Sequence, residues 1–174
     1  MIADLLRGAL GFAVVSLAAF SVWAFGPLRG PLMYAAVALV FVALSGLALA
    51  PLARPPRRFP LAFVPAFSLY AVAWCLAWFL LRFAGRDYVG IAVGGAVFTA
   101  VLALVLGGRS AWLRATVVLV AAHAAGYYLG GVVCYAEGHG KLGMLAWGAG
   151  YGLGFGAGIG YAFHALQSAA SRRA

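Results

Sequence analysis

The chain has 174 residues, of which 66% are hydrophobic and only 9% charged. A water-soluble domain carries roughly 25% charged residues, so this chain cannot cover a water-facing surface and reads as an integral membrane protein. Its net charge of +9 does not point to nucleic acid, because the twelve Lys and Arg are scattered in short loops with no basic helix or aromatic-interleaved patch.

Six apolar segments follow one another, each close to the roughly 20 residues that span a hydrocarbon core. The first covers about 8–25; it is too long for a signal-peptide core and ends in Trp-Ala-Phe-Gly-Pro rather than a small-residue cleavage site, so it reads as a retained span. Gly26-Pro27-Leu28-Arg29-Gly30-Pro31 breaks it. The second span covers about 32–52 and stops at Arg54-Pro55-Pro56-Arg57-Arg58. The third covers about 60–81, the fourth about 88–106, the fifth about 112–135 and the sixth about 142–166. All are apolar all round and about twice as long as a barrel strand, which argues for helices. The connections are short, so consecutive spans are expected to form three antiparallel hairpins in one transmembrane domain covering 1–174.

Charge sets the expected orientation. With six spans, Arg7, Arg54, Arg57, Arg58, Arg109, Arg114, Arg172 and Arg173 share one side, against Arg29, Arg82, Arg86 and Lys141 on the other. The excess places both termini in the cytoplasm, in a bacterial inner membrane or an equivalent one. Trp23, Tyr34, Trp78, Tyr88, Tyr135 and Trp147 fall at the outer ends of spans, where amphipathic rings favour the headgroup region.

The sixth span carries the strongest signal. Every second residue from Gly148 to Gly160 is glycine. On a helix, Gly148, Gly152, Gly156 and Gly160 form one stripe, and Gly150, Gly154 and Gly158 a second, about 200° away. Ala122, Gly126 and Gly130 on the fifth span and Gly90 and Gly94 on the fourth offer further small faces. Such glycine-zipper faces let helices approach closely in lipid, and the sixth helix is expected to pack centrally in the bundle.

Chemistry-bearing residues are sparse. The three acids, Asp4, Asp87 and Glu137, lie near span ends, which argues against ion-coupled transport and leaves no catalytic constellation. His123 lies near the middle of the fifth span, with Tyr70, Ser16 or Thr99 as expected hydrogen-bond partners. His164 sits near the end of the sixth span, roughly 13 Å from His123 in depth, which argues against a shared haem. Cys75 and Cys134 have no ligand-like spacing, and neither a metal site nor a cofactor is expected.

These features point first to a non-enzymatic bundle that acts through helix packing with a second copy or a partner subunit in the bilayer. The alternative is a transporter or channel for a neutral or lipophilic small molecule, with Tyr70, His123, Tyr127 and Tyr151 lining a cavity. A membrane redox protein using haem or quinone is a third reading, resting on the His and Tyr residues alone.

Overall fold

A computed structural model describes residues 1–172 and is all-helical in its regular elements. The helices are α1 (Ile2–Phe25), α2 (Gly30–Ala48), α3 (Arg58–Leu80), α4 (Arg86–Leu106), α5 (Trp112–Ala136) and α6 (Lys141–Ser171), with short 3-10 turns at Ala50–Leu52 and Arg109–Ala111. Five segments, α1 to α4 and Arg109–Ala136, are long and apolar enough to cross a membrane. The chain is therefore a helical membrane protein. The longest helix, α6 with 31 residues, is not among the five, because glycine stands at alternate positions where larger apolar side chains would raise its hydropathy. Arg173, which entered the orientation argument, lies outside the described residues.

The helix limits have local causes. The α2 helix stops at Ala48, short of the expected residue 52, because Pro51 cannot supply the next amide and the chain tightens into the Ala50–Leu52 turn. At the end of α4, Gly107 takes a left-handed conformation with φ 83° and returns its amide to Ala103. Both terminal helices run past their expected apolar spans, to Ile2 and to Ser171.

Close approach of backbones organises the packing. α6 lies between α1 and α5 and runs in reverse register against each. Along α1, Asp4 sits beside Gly160, Gly8 beside Gly156, Ala13 beside Gly152 and Phe20 beside Gly148. Along α5, Leu119 sits beside Gly158, Gly126 beside Gly154, Gly130 beside Gly150 and Cys134 beside Gly143. A Cβ on Gly152 would stand 2.6 Å from the Cα of Ala13, and one on Gly126 would stand 2.8 Å from the Cα of Gly154. In lipid, where association relies on packing rather than on escape from water, this proximity is a main source of cohesion. The α2 helix leans on α1 through a stacked Phe12–Phe41 pair at 5.4 Å and meets α3 only sparsely.

The start of α1 and the end of α6 lie at one end of the bundle. There Asp4, 5% exposed, accepts hydrogen bonds from the Arg54 guanidinium at 3.1 and 3.2 Å, and its Oδ2 lies 2.9 Å from His164 Nδ1. The Gln167 side chain accepts from the Arg54 amide and donates to the Leu52 carbonyl, tying α6 to the turn after α2. The half of the interior nearer this terminal end is filled by phenylalanine: Phe59 stacks on Phe63 at 4.9 Å and on Phe163 at 5.4 Å, and Phe63 on Phe67 at 5.4 Å. Phe12, Phe98 and Phe155 complete this fully buried layer.

Candidate functional site

The other half of the bundle holds a partly open cavity. A cavity of about 460 Å³ extends from the end opposite the termini to the mid-depth of the helices. Its walls are rings: Phe20 and Trp23 from α1, Tyr34 and Phe41 from α2, Tyr127 and Tyr135 from α5, and Trp147 and Tyr151 from α6. The α3 helix contributes Phe67, Tyr70, Trp74, Trp78 and Phe79. Four of the five tryptophans of the chain line this space.

Glycines on neighbouring helices make room for these rings. A Cβ on Gly90 would stand 2.8 Å from the Trp74 ring, one on Gly94 2.8 Å from Tyr70, and one on Gly148 2.7 Å from Phe20. Gly90 and Gly94 therefore face the cavity-wall aromatics of α3. They seat rings, as Gly148 does, whereas the other glycines of the α6 stripes meet backbone of α1 or α5.

Three polar groups meet at the floor. The Tyr70 hydroxyl is 3.4 Å from His123 Nε2 and 3.4 Å from the Tyr151 hydroxyl. Both spacings are longer than the usual 2.7–2.8 Å of an O–H···O bond or about 2.9–3.0 Å of an N–H···O bond, so the groups satisfy one another only loosely. His123 is fully buried, and its Nδ1 has no hydrogen-bond partner among the described residues. Its ring is boxed by Phe155 at 4.8 Å, Tyr151 at 5.2 Å and Tyr70 at 5.8 Å. The other expected partners are engaged elsewhere: Ser16 donates to the Gly148 carbonyl, and Thr99 lies 2.6 Å from the Thr116 hydroxyl.

No family model, curated protein or solved structure matches the chain.

The cavity is apolar with a few hydroxyl and indole groups, and no carboxylate, Lys or Arg lines it. Two cations pack on aromatic rings at this end of the bundle. The Arg86 guanidinium lies 4.0 Å from the Trp78 ring centroid, and the Lys141 ammonium 5.1 Å from that of Phe25. His139 reaches the mouth and packs edge-on against Tyr135 at 4.6 Å.

Of the residues singled out from the sequence, Tyr70, Tyr127 and Tyr151 line the cavity, and His123 stands behind the two floor tyrosines. The seven α6 glycines lie against α1 and α5, and Ala122, Gly126 and Gly130 lie against α6. His164 is remote from the cavity, beside Asp4. Among the described residues, no three His, Cys, Asp or Glu side chains gather as a metal site.

Most of the aromatic wall was not singled out beforehand. Trp23, Tyr34, Trp78, Tyr135 and Trp147 read as headgroup anchors in the sequence, yet all five line the cavity. One signal was available: Phe59, Phe63, Phe67, Tyr70, Trp74 and Trp78 recur at intervals of three or four residues, which places six aromatics on one face of α3.

Proposed function

We propose that this protein is a membrane carrier for a neutral, mainly apolar small molecule, which it takes into the aromatic cavity between its helices. The cavity carries this reading. Its volume of about 460 Å³ lies within the range of roughly 300–1,000 Å³ typical of small-molecule sites. A charged ligand would have to shed its hydration at mid-depth with no opposite charge to meet it, which is costly there. The phenylalanine layer closes the terminal half, so the arrangement suits a carrier open at one end better than a continuous pore.

In this reading α6 is a sixth span and the chain forms three hairpins, with both termini in the cytoplasm. The reversed registers of α6 against its neighbours and the basic residues near the terminal end support that topology. The cavity then opens to the outside. The two glycine stripes serve packing within the chain, since each already faces a helix of its own bundle. A second copy or partner subunit would have to use other faces.

The test is solute flux into vesicles containing the purified protein, across a panel of neutral aromatic and aliphatic compounds. Flux above that of protein-free vesicles is expected for at least one aromatic member. Ala71→Trp, which adds a ring to the cavity lining, is expected to remove that flux while the purified variant keeps its helical circular dichroism. Identical rates with and without protein across the whole panel would overturn the reading.

A further inference from the structure

We infer that the ligand of this cavity is an uncharged, planar aromatic molecule bearing a hydrogen-bond acceptor, a ring carbonyl or ring nitrogen, which receives the hydroxyl proton of Tyr151. The inference rests on the small-molecule reading above and names its substrate class.

Planarity follows from the walls. Rigid rings face the space from five helices, and several are already arranged as aromatic pairs: Trp74 meets Tyr127 edge-on at 5.4 Å, and Trp23 meets Trp147 edge-on at 6.1 Å. A flat π-system entering between them gains aromatic contacts that a saturated molecule of equal volume lacks. The absence of charge follows from the lining. With no carboxylate in the wall, an organic cation meets ring faces but no counter-charge to offset the hydration it sheds at this depth. An anion meets no cation at the floor.

The acceptor follows from the direction of the polar relay. His123 Nδ1 is buried with no partner among the described residues. A buried orphaned N–H is rarer than an under-satisfied acceptor, so the imidazole proton belongs on Nε2, which faces Tyr70. Nε2–H then donates to the Tyr70 oxygen, and the Tyr70 hydroxyl donates to the Tyr151 oxygen. The hydroxyl proton of Tyr151 is left over at the cavity wall. The relay thus ends in a donor, and the loose spacing of 3.4 Å at both steps leaves it free to tighten around a ligand oxygen or nitrogen.

The experiment titrates the full chain in lipid nanodiscs with three probes, subtracting the signal of empty discs. 9-Fluorenone is planar with a carbonyl, fluorene has the same rings without an acceptor, and dicyclohexyl ketone has a carbonyl without planarity. Fluorenone is expected to bind about 2- to 13-fold more tightly than fluorene, the span of one net hydrogen bond, and more tightly than dicyclohexyl ketone. Tyr151→Phe is expected to bring the fluorenone-to-fluorene ratio to about one. Dicyclohexyl ketone binding as tightly as fluorenone would overturn the planar requirement, and a ratio unchanged in Tyr151→Phe would overturn the donor role. No binding by any of the three overturns the inference alone, whereas the carrier reading falls only if the wider flux panel is also silent.

Discussion

Gly94 of α4 makes the room in which the Tyr70 ring of α3 lies: a Cβ at position 94 would stand 2.8 Å from Tyr70 Cδ2. The hydroxyl of that ring is 3.4 Å from both His123 and Tyr151. A single methyl group on α4 therefore displaces the cavity floor from behind. Gly94→Ala is expected to destabilise the fold by about 1–3 kcal/mol through overpacking and to weaken ligand binding. Gly46→Ala is the matched control, since its Cβ would meet nothing within 4 Å, and it is expected to be neutral or to gain up to about 1 kcal/mol of helix propensity. Reversible unfolding by SDS titration in bicelles compares the two. Equal stabilities would show that the Tyr70 ring yields freely.

Replacing Gly152 or Gly156 with Leu drives a side chain into the backbone of α1. At Gly152 a Cβ alone would reach within 2.6 Å of the Ala13 Cα, and at Gly156 within 2.7 Å of the Phe12 Cβ. Neither helix can absorb this by a rotamer change, so each variant is expected to lose folded yield in detergent. Size-exclusion profiles and trypsin resistance measure the loss. Wild-type behaviour of both variants would mean that α1 and α6 are not in contact as described.

Asp4 joins the start of α1 to the turn after α2 and to the end of α6 through Arg54 and His164. Asp4→Asn keeps the shape but removes the charge that holds both partners. Hydrogen bonds to charged groups contribute about 1.5–3 kcal/mol, discounted here because Arg54 is 67% exposed and screened by solvent. The double-mutant cycle of Asp4→Asn with His164→Ala is expected to show a coupling of about 0.5–1.5 kcal/mol. Additive effects would mean that the pair contributes nothing to folding.

The Thr99 hydroxyl bridges α4 and α5, lying 2.6 Å from the Thr116 hydroxyl. It is fully buried, and its single proton is within reach of the Gly95 and Ala96 carbonyls of its own helix. Side-chain hydrogen bonds between membrane helices average only about 0.6 kcal/mol, so Thr99→Val is expected to cost little, about 0.5–1.5 kcal/mol, despite complete burial. The same SDS titration measures it. A loss above about 3 kcal/mol would require a role beyond this pair.

Membrane residence and helical class were legible in the residues because they depend on sums: few charges, long apolar runs and short breaks. The α2 limit was displaced only where Pro51 sits inside an apolar run, since hydropathy does not register a missing amide. The period of α6 separated its glycines into two sets by helical geometry alone. The sequence did not contain the identity of what each set faces, which depends on helix order around the bundle.

The site divides along the same line. His123, Tyr70, Tyr127 and Tyr151 stood out because polar atoms are scarce in apolar spans and each is costly to leave unpaired. Trp23, Trp78 and Trp147 read instead as interfacial anchors, because their depth is visible in one dimension while their direction is not. Lipid and an aromatic cavity are both apolar surroundings, so no hydropathy pattern distinguishes a ring facing outward from one facing inward. The sequence by itself determined that this is a helical membrane protein with glycine-faced helices and few intramembrane polar groups. Tertiary structure alone decided that phenylalanines seal one half of the interior while tryptophans and tyrosines line a space in the other, because that depends on which helix faces meet.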